Sequence, residues 1–288
     1  MNKKNLLFIS LMSFLLFQCS VQRLAVRSMS GILQDNLTAL YEETDLVLAE
    51  QAITSDLKLL EGLIKSDPEN EHLLLMACQG FSAYAMGFVE DTDPVRAQRL
   101  YLRGKNYGLK ILSKHSRIQD ALTGPIEKFQ SVVTKFSKNE LPALFWTANS
   151  WGSYINLNMD NPGALVDLPR VQLLMNRVIE LDESYYFGSA HLFFATLYAV
   201  RPPILGGDLK KAAHHFDVCF KYADEKFLLP YAYYAKYYLT RQFEQEQFRN
   251  TLNKVLEAPE DILPGQQLPN AIAKQKAKQL LARETEFF

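Results

Sequence analysis

The stretch ALFWTANSWGSYINLN, residues 143–158, indicates a helix with two unlike faces. Successive helical residues lie about 100° apart around the axis. One stripe therefore carries a ring, two amides and a glycine: Phe145, Asn149, Gly152 and Asn156. A second stripe carries apolar side chains: Leu144, Ala148, Trp151 and Ile155. The apolar stripe is typical of core. The mixed stripe, beside Trp146, predicts the wall of a binding site, since a glycine admits a close neighbour and amides offer hydrogen bonds.

Composition excludes several classes of protein. The chain has 288 residues, a formal net charge of -1 and 48% hydrophobic residues, which is incompatible with a disordered chain and offers no electrostatic basis for binding nucleic acid. Only 13 glycines and 12 prolines are present, too few for the regular turns of a β-sandwich or barrel.

The N-terminus is typical of a targeting segment. Lys3 and Lys4 precede an apolar run, residues 6–17, that is short for a membrane span. The run ends just before Cys19, as in a bacterial lipoprotein signal. We therefore predict a signal peptide over 1–18, lipidation of Cys19 and an anchor linker over 19–30. Ser20, in place of an aspartate, favours the outer over the inner membrane. An uncleaved anchor or an ordinary export signal is the alternative.

From residue 30 onward, apolar residues recur at spacings of three and four, and no segment alternates with period two. Helical segments pair at intervals of roughly 40 residues, near the period of tetratricopeptide repeats. We predict an all-α fold: a tetratricopeptide-like array of helical hairpins, an α-solenoid of about 10–12 helices, in a single domain over 31–288. A non-repeating helical bundle is the alternative.

Five sequence blocks, in order, resemble the T-component (TatT) family of tripartite ATP-independent periplasmic (TRAP) transporters. They are LFWTANSWG (144–152), DLPR (167–170), LDESYY (181–186), HLF (191–193) and RPPILGGD (201–208). The resemblance implies a helical tetratricopeptide-like lipoprotein that associates with a periplasmic solute-binding protein. It also implies homo-oligomers that pass a ligand through a central pore.

The sequence contains no convincing catalytic or metal-binding motif. Ser55 and Lys58 have the spacing of penicillin-recognising enzymes, but the accompanying motifs are missing. His214 and His215 are adjacent, so they point about 100° apart on a helix and cannot share one metal ion in ordinary geometry. His191, in an apolar helix, fits a core or groove position. We predict no enzymatic activity, no cofactor and no metal.

Two arginines and a row of tyrosines are further candidates for ligand or partner binding. Arg170 and Arg201 lie beside prolines and are each able to bind a carboxylate through two hydrogen bonds. The alternative is that they tie loops to helix ends. Tyr231, Tyr234 and Tyr238 share one helical stripe, which suits either a groove or ordinary packing.

Two local features remain open at this level. Asp167 is interpreted as the N-cap of the helix that begins near Pro169, rather than as the partner of Arg170. Cys78 and Cys219 could form a disulfide in an oxidising compartment, although two buried free thiols are favoured.

Three functional classes follow from these observations. The favoured one is a periplasmic, lipid-anchored accessory of a TRAP-type transporter that docks a solute-binding protein and binds or relays an organic acid or hydrophobic solute. In that interpretation Trp151, Asn149 and Arg201 border a common cavity. The second is a tetratricopeptide adaptor for envelope assembly that has no ligand site. The third is an envelope enzyme, for which no motif was found.

Overall fold

The structure, a computed structural model, describes residues 23–288. The predicted signal peptide and Cys19 lie outside this range. Helical backbone begins at residue 23, and Val26 is buried in the main core. Arg27 also reaches Asp67, with Nε 3.0 Å from Oδ2. The described part of the predicted linker, 23–30, is therefore largely helical and is attached to the core through Val26 and Arg27.

The prediction of an all-α fold is confirmed, and residues 23–288 contain no strand. From Ser30 onward there are fourteen α-helices, counting 229–242 as one. They are α1 (Ser30–Tyr41), α2 (Leu46–Ser66), α3 (Glu71–Tyr84), α4 (Pro94–His115), α5 (Ile118–Leu122), α6 (Ile126–Val133), α7 (Leu141–Asn156), α8 (Pro162–Leu165), α9 (Leu168–Leu181), α10 (Tyr185–Val200), α11 (Leu209–Ala223), α12 (229–242), α13 (Gln245–Glu257) and α14 (Gln267–Ala282). The count exceeds the predicted ten to twelve because it includes the short helices α5 and α8.

Side-chain caps fix the starts of several helices, as the sequence favours. Asp45 accepts hydrogen bonds from the backbone of Val47 and Leu48 at the start of α2. Asn70, Asp93 and Asp208 cap α3, α4 and α11 in the same way. Asp167 does not cap α9, so that prediction was wrong: its backbone is already helical, and its carboxylate pairs with Arg170 at 3.6 Å instead.

The long helices pack mainly against their neighbours in the chain, α2 on α3, α3 on α4 and α10 on α11. In addition, α14 packs against α1 and α2, so the first and last helices meet. In a solenoid each repeat contacts only adjacent repeats. This return of the C-terminal helix encloses space between the two ends of the array.

Three departures from regular helix lie around that space. A π turn, Ala85–Val89, continues α3, and a second, Tyr234–Leu239, interrupts α12. At the start of α10, Tyr186, Phe187 and Gly188 have φ values of 46°, 58° and 69°. Left-handed backbone is costly for Tyr and Phe, and such strain and π turns concentrate at functional sites.

Within 23–288, one segment, Glu71–Val89, is long and apolar enough to cross a membrane. More than half of it is buried inside the protein. It forms α3 and its π turn, at the centre of the main core, and buried core helices commonly pass the same test.

Candidate functional site

The helix α7 forms one wall of a large internal cavity. Phe145, Asn149, Gly152 and Asn156, the mixed stripe predicted from sequence, all line it, together with Trp146. The structure places this stripe at a cavity, and its role as the wall of a binding site, with binding by Trp146, Asn149 and Asn156, remains a prediction. Leu144, Ala148 and Trp151 of the second stripe are buried in core, while Ile155 also reaches the cavity.

The cavity has a volume of about 200 Å³, which is more than ten times the space that one water molecule needs. Helices from both ends of the chain surround it. Its lining is mostly aliphatic, aromatic or thioether in character, for example Leu37, Leu57, Met76, Phe145, Phe193 and Ile272. Such a space favours a ligand that is largely apolar.

A few polar groups interrupt this lining. The Asn149 amide donates a hydrogen bond from Nδ2 to Ser82 Oγ at 2.9 Å, which fixes the orientation of both groups. The Thr196 hydroxyl, also at the cavity, is buried and has no hydrogen-bond partner among the described residues. An unpaired buried hydroxyl is costly, so it is a candidate contact for a polar atom of a ligand.

A cluster of charged groups closes one end of the cavity at Glu90. Lys276 is only 6% exposed, and its Nζ lies 3.1 Å from Glu90 Oε1 and 2.5 Å from Asp91 Oδ2. Lys236 also reaches Asp91, at 3.3 Å, and the Tyr101 hydroxyl donates to Glu90 at 2.6 Å.

The charges within this cluster stabilise one another. Burial opposes the charged form of Lys276, but Glu90 and Asp91 outweigh burial and raise its pKa. Burial likewise opposes ionisation of Asp91, but Lys276 and Lys236 lower its pKa. The cluster is therefore a compensated ionic junction between the π turn after α3, α12 and α14.

Aromatic rings surround the left-handed segment at the start of α10. The Tyr186 ring lies 5.0 Å from Trp146 and 5.6 Å from Phe145, measured between ring centroids. Phe187, on the other side, stacks on Phe227 at 4.4 Å. The strained backbone thus directs Tyr186 to the cavity and Phe187 into the neighbouring core. Sequence periodicity could not show this, because the segment is not helical.

The predicted convergence of Trp151 and Arg201 on the cavity was wrong. Trp151 is 2% exposed and packs in the core, with Lys105 Nζ 4.6 Å from its ring. Arg201 lies against the turn at Gly206, in the loop between α10 and α11. Neither residue lines the cavity. One helical period places a residue on a face but does not say which neighbour covers that face.

Arg170 also has a role within the fold. Its guanidinium donates to the carbonyl oxygen of Gly124 at 2.9 Å and lies over the Phe129 ring. With the Asp167 contact, these interactions tie α9 to the loop before α6. They match the structural alternative for this arginine, and Arg170 does not line the cavity.

The tyrosine stripe of α12 faces α11 instead of the cavity. Tyr231 stacks on Phe220 at 4.5 Å, and Tyr234 and Tyr238 pack on Phe216. Tyr233 and Tyr237 of the same helix line the cavity. The sequence identified an aromatic helix correctly but assigned the wrong face to the site.

The histidines lie outside the cavity. His191 and His215 approach each other with their Nδ1 atoms 2.8 Å apart, joining α10 to α11. Burial and the neighbouring His191 and His214 lower the pKa of His215 to about 4. Among residues 23–288 there is no group of three or more His, Cys, Asp or Glu side chains placed to hold a metal ion.

Cys78 and Cys219 are both free and buried, as favoured from the sequence. Burial raises the pKa of Cys78 to about 12, and burial likewise raises that of Cys219. A thiol so far from ionisation is a poor nucleophile, so these cysteines act as small core residues.

Comparison with known proteins shows which family the chain belongs to. The family model for the TRAP transporter T-component matches residues 42–288, nearly the whole described chain. The chain therefore belongs to this family, and it is a transport component associated with the cell envelope. It is also similar to an uncharacterized protein of Treponema pallidum (strain Nichols), with 22% identity over 300 residues that cover 94% of this chain and 93% of the relative.

Proposed function

We propose that this protein is a lipid-anchored T-component on the periplasmic side of the envelope that binds a mainly apolar solute in the cavity beside α7. A periplasmic solute-binding protein docks on it and exchanges that solute. Cys19 carries the lipid anchor, in the outer membrane. The observation that carries the proposal is the cavity itself, enclosed by helices from both ends of the chain and largely apolar in lining.

Three cavity residues of α7 are the proposed ligand contacts. Trp146 supplies a large apolar surface, and Asn149 and Asn156 supply amides on the same wall. Asn149 is held by Ser82 and so presents its amide in a fixed orientation. A hydrophobic solute with one or two polar atoms, such as the hydrocarbon chain and carbonyl of an organic acid, suits these groups.

The cavity also weighs against the alternative of a pure protein–protein adaptor. An adaptor has no need of an interior space, and empty volume in a core reduces stability. Here the space persists although large aromatic side chains surround it. Oligomerisation and passage of solute between subunits, which the family resemblance implies, are part of the same proposal.

The ligand site is tested with the neutral apolar dye N-phenyl-1-naphthylamine, whose fluorescence rises in apolar surroundings. Ala83→Phe places a ring at the cavity wall, while Ala282→Phe adds the same ring at the exposed end of α14. We expect the wild type and Ala282→Phe to bind the dye and Ala83→Phe to lose at least tenfold in affinity. Equal affinity for all three would reject the cavity as the site.

Docking is tested separately by capture from periplasmic extract with the full-length protein. We expect a solute-binding protein of a TRAP transporter to be retained by the wild type. Retention of other envelope proteins without any solute-binding protein would favour the adaptor.

A further inference from the structure

The part of the cavity lining that is most exposed to solvent lies on α1 and α2. Among all the residues that line the cavity, Asn36 on α1 and Leu59 on α2 are the exposed ones. Leu59 is 50% exposed although it is a large apolar side chain. The remaining lining residues are half-buried or buried. These two helices therefore form the solvent-facing part of the cavity wall.

The helix α1 covers the cavity on this side with a single layer of side chains. Leu33, Leu37 and Leu40, at spacings of four and three, face the cavity, and Tyr41 follows them. The opposite side of α1 is open to solvent, where Ile32 is 66% exposed. Nothing among the described residues packs on that outer side, so α1 can move without disturbing a second layer.

Few polar contacts hold α1 itself in place, and the segment before it adds the Arg27–Asp67 ion pair and the buried Val26 side chain. The Asn36 amide donates from Nδ2 to Asp56 Oδ2 on α2 at 2.9 Å. Tyr41 lies beside Tyr186 at the cavity, which places the end of α1 next to the left-handed segment of α10. The helix has no side-chain cap at its N-terminus. A helix of this length is marginal on its own, and elements with few buried contacts open first.

The segment after α1 has the features of a hinge. Residues 42–45 join α1 to α2, and Glu43 Oε1 accepts hydrogen bonds from the backbone of Thr44 and Asp45 at 2.8 and 2.7 Å. Since Asp45 also caps α2, the C-terminal end of this segment is fixed to α2. The match to the family begins at residue 42, immediately after α1. The part of the fold that follows the hinge and the region matched by the family model thus both begin near residue 42.

We propose that α1, together with residues 23–29 before it, is a hinged cover of the cavity. The Arg27–Asp67, Asn36–Asp56 and Tyr41–Tyr186 contacts hold it shut, and a solute enters or leaves when this segment lifts about residues 42–45. The inference rests on the proposed ligand site and adds how that site is reached. Because α1 is the first complete helix after the predicted lipid anchor, the cover is also the part of the fold nearest the membrane attachment in sequence.

The test is to fasten the cover after the protein has folded. In a Cys19→Ser background, Asn36→Cys and Asp56→Cys are introduced together and bridged with a short bismaleimide. The same protein with both cysteines blocked by N-ethylmaleimide is the matched unlinked form. Cys78 and Cys219 are buried and do not compete for reagent. A remote bridge at Glu225→Cys and Lys254→Cys, whose native side chains lie 2.7 Å apart, is the second control.

Association of N-phenyl-1-naphthylamine is followed by stopped-flow fluorescence. We expect the bridged cover to slow association at least tenfold relative to the unlinked form, and the remote bridge to leave the rate unchanged. Asn36→Ala, which removes the hydrogen bond to Asp56, should instead speed association. Equal rates for bridged and unlinked forms would overturn the cover and leave the cavity site standing. Absence of dye binding in every form, wild type included, would overturn the cavity site and the cover with it.

Discussion

Gly152 of α7 lies directly under the ring of Phe193 of α10. A Cβ atom at position 152 would lie 2.7 Å from Phe193 Cε2, closer than real Cβ atoms approach a carbon. Both residues line the cavity. This contact sets the distance between the two helices that form the wall, and it gives the sequence's only glycine between residues 143 and 158 a defined purpose.

Gly152→Ala should therefore displace the Phe193 ring and reshape the cavity. We expect a loss of about 1–3 kcal/mol in the free energy of unfolding from overpacking, which outweighs the helix preference of alanine of about 1 kcal/mol. Urea denaturation measures the loss, and Phe193→Leu in the same chain should recover most of it. Gly62→Ala in α2, where a Cβ meets nothing within 4 Å, should be neutral or stabilising.

Removal of the buried ammonium at Lys276 should strongly destabilise the fold. Lys276→Met leaves Glu90 and Asp91 with fewer partners in a buried place, which typically costs about 3–5 kcal/mol. Lys278→Met, two residues along and exposed, removes the same charge without a buried partner and should change stability by less than about 0.5 kcal/mol. A similar loss in both variants would show that the junction contributes little.

The same ionic cluster makes the free energy of unfolding depend on pH. The pKa of Asp91 is lower in the folded than in the unfolded chain. The stability that its carboxylate contributes is therefore fully present above the ordinary pKa near 4 and is lost as the pH falls through the lower folded-state pKa. The pKa of Lys276 is higher in the folded than in the unfolded chain. The stability that its ammonium contributes is therefore fully present below the ordinary pKa and is lost as the pH rises through the higher folded-state pKa. In Asp91→Asn, stability should fall less steeply below about pH 4. An unchanged loss of stability at acidic pH in Asp91→Asn would show that Asp91 is not its source.

The histidine pair predicts a second, milder acid effect. Because the folded-state pKa of His215 is about 4, below its ordinary value, the unfolded chain takes up a proton first as pH falls. Stability should decline between about pH 6.5 and 4 and then level off. His215→Phe should flatten this decline, and His214→Phe on the exposed side of α11 should retain it. Thermal melting across this range measures both.

Anchoring is tested by acyl labelling in cells. Cys19→Ala should abolish incorporation of a labelled fatty acid and release the protein from the membrane fraction. Stable anchoring requires at least two acyl chains, as a lipoprotein cysteine carries. Labelling that persists in the variant would place the modification at another residue.

The sequence revealed the α7 wall because a helix preserves its period along its whole length. Spacing alone assigns Asn149, Gly152 and Asn156 to one face, and the glycine indicates a close neighbour there. The same reasoning assigned Tyr231, Tyr234 and Tyr238 to one stripe correctly, yet it could not choose which stripe of α12 faces the cavity.

What the sequence could not supply depends on long-range packing. The cavity is closed by α14 reaching back to α1 and α2, and no local pattern encodes that contact. The left-handed backbone at Tyr186 and the π turn after Tyr233 redirect side chains in ways that a regular period misses. Arg201 illustrates the converse problem, because an arginine beside prolines has the same local signature in a binding site and in a tied loop.

Solute handling by this protein is tested most directly by identifying what the cavity holds. Wild-type protein and Ala83→Phe are purified from the native envelope, denatured and extracted, and the small molecules are quantified by mass spectrometry. We expect an apolar compound in near-stoichiometric amount with the wild type and a large loss with Ala83→Phe. If the wild type carries no such compound, or if both proteins carry it equally, the cavity is not the binding site and the proposed solute-handling function is contradicted.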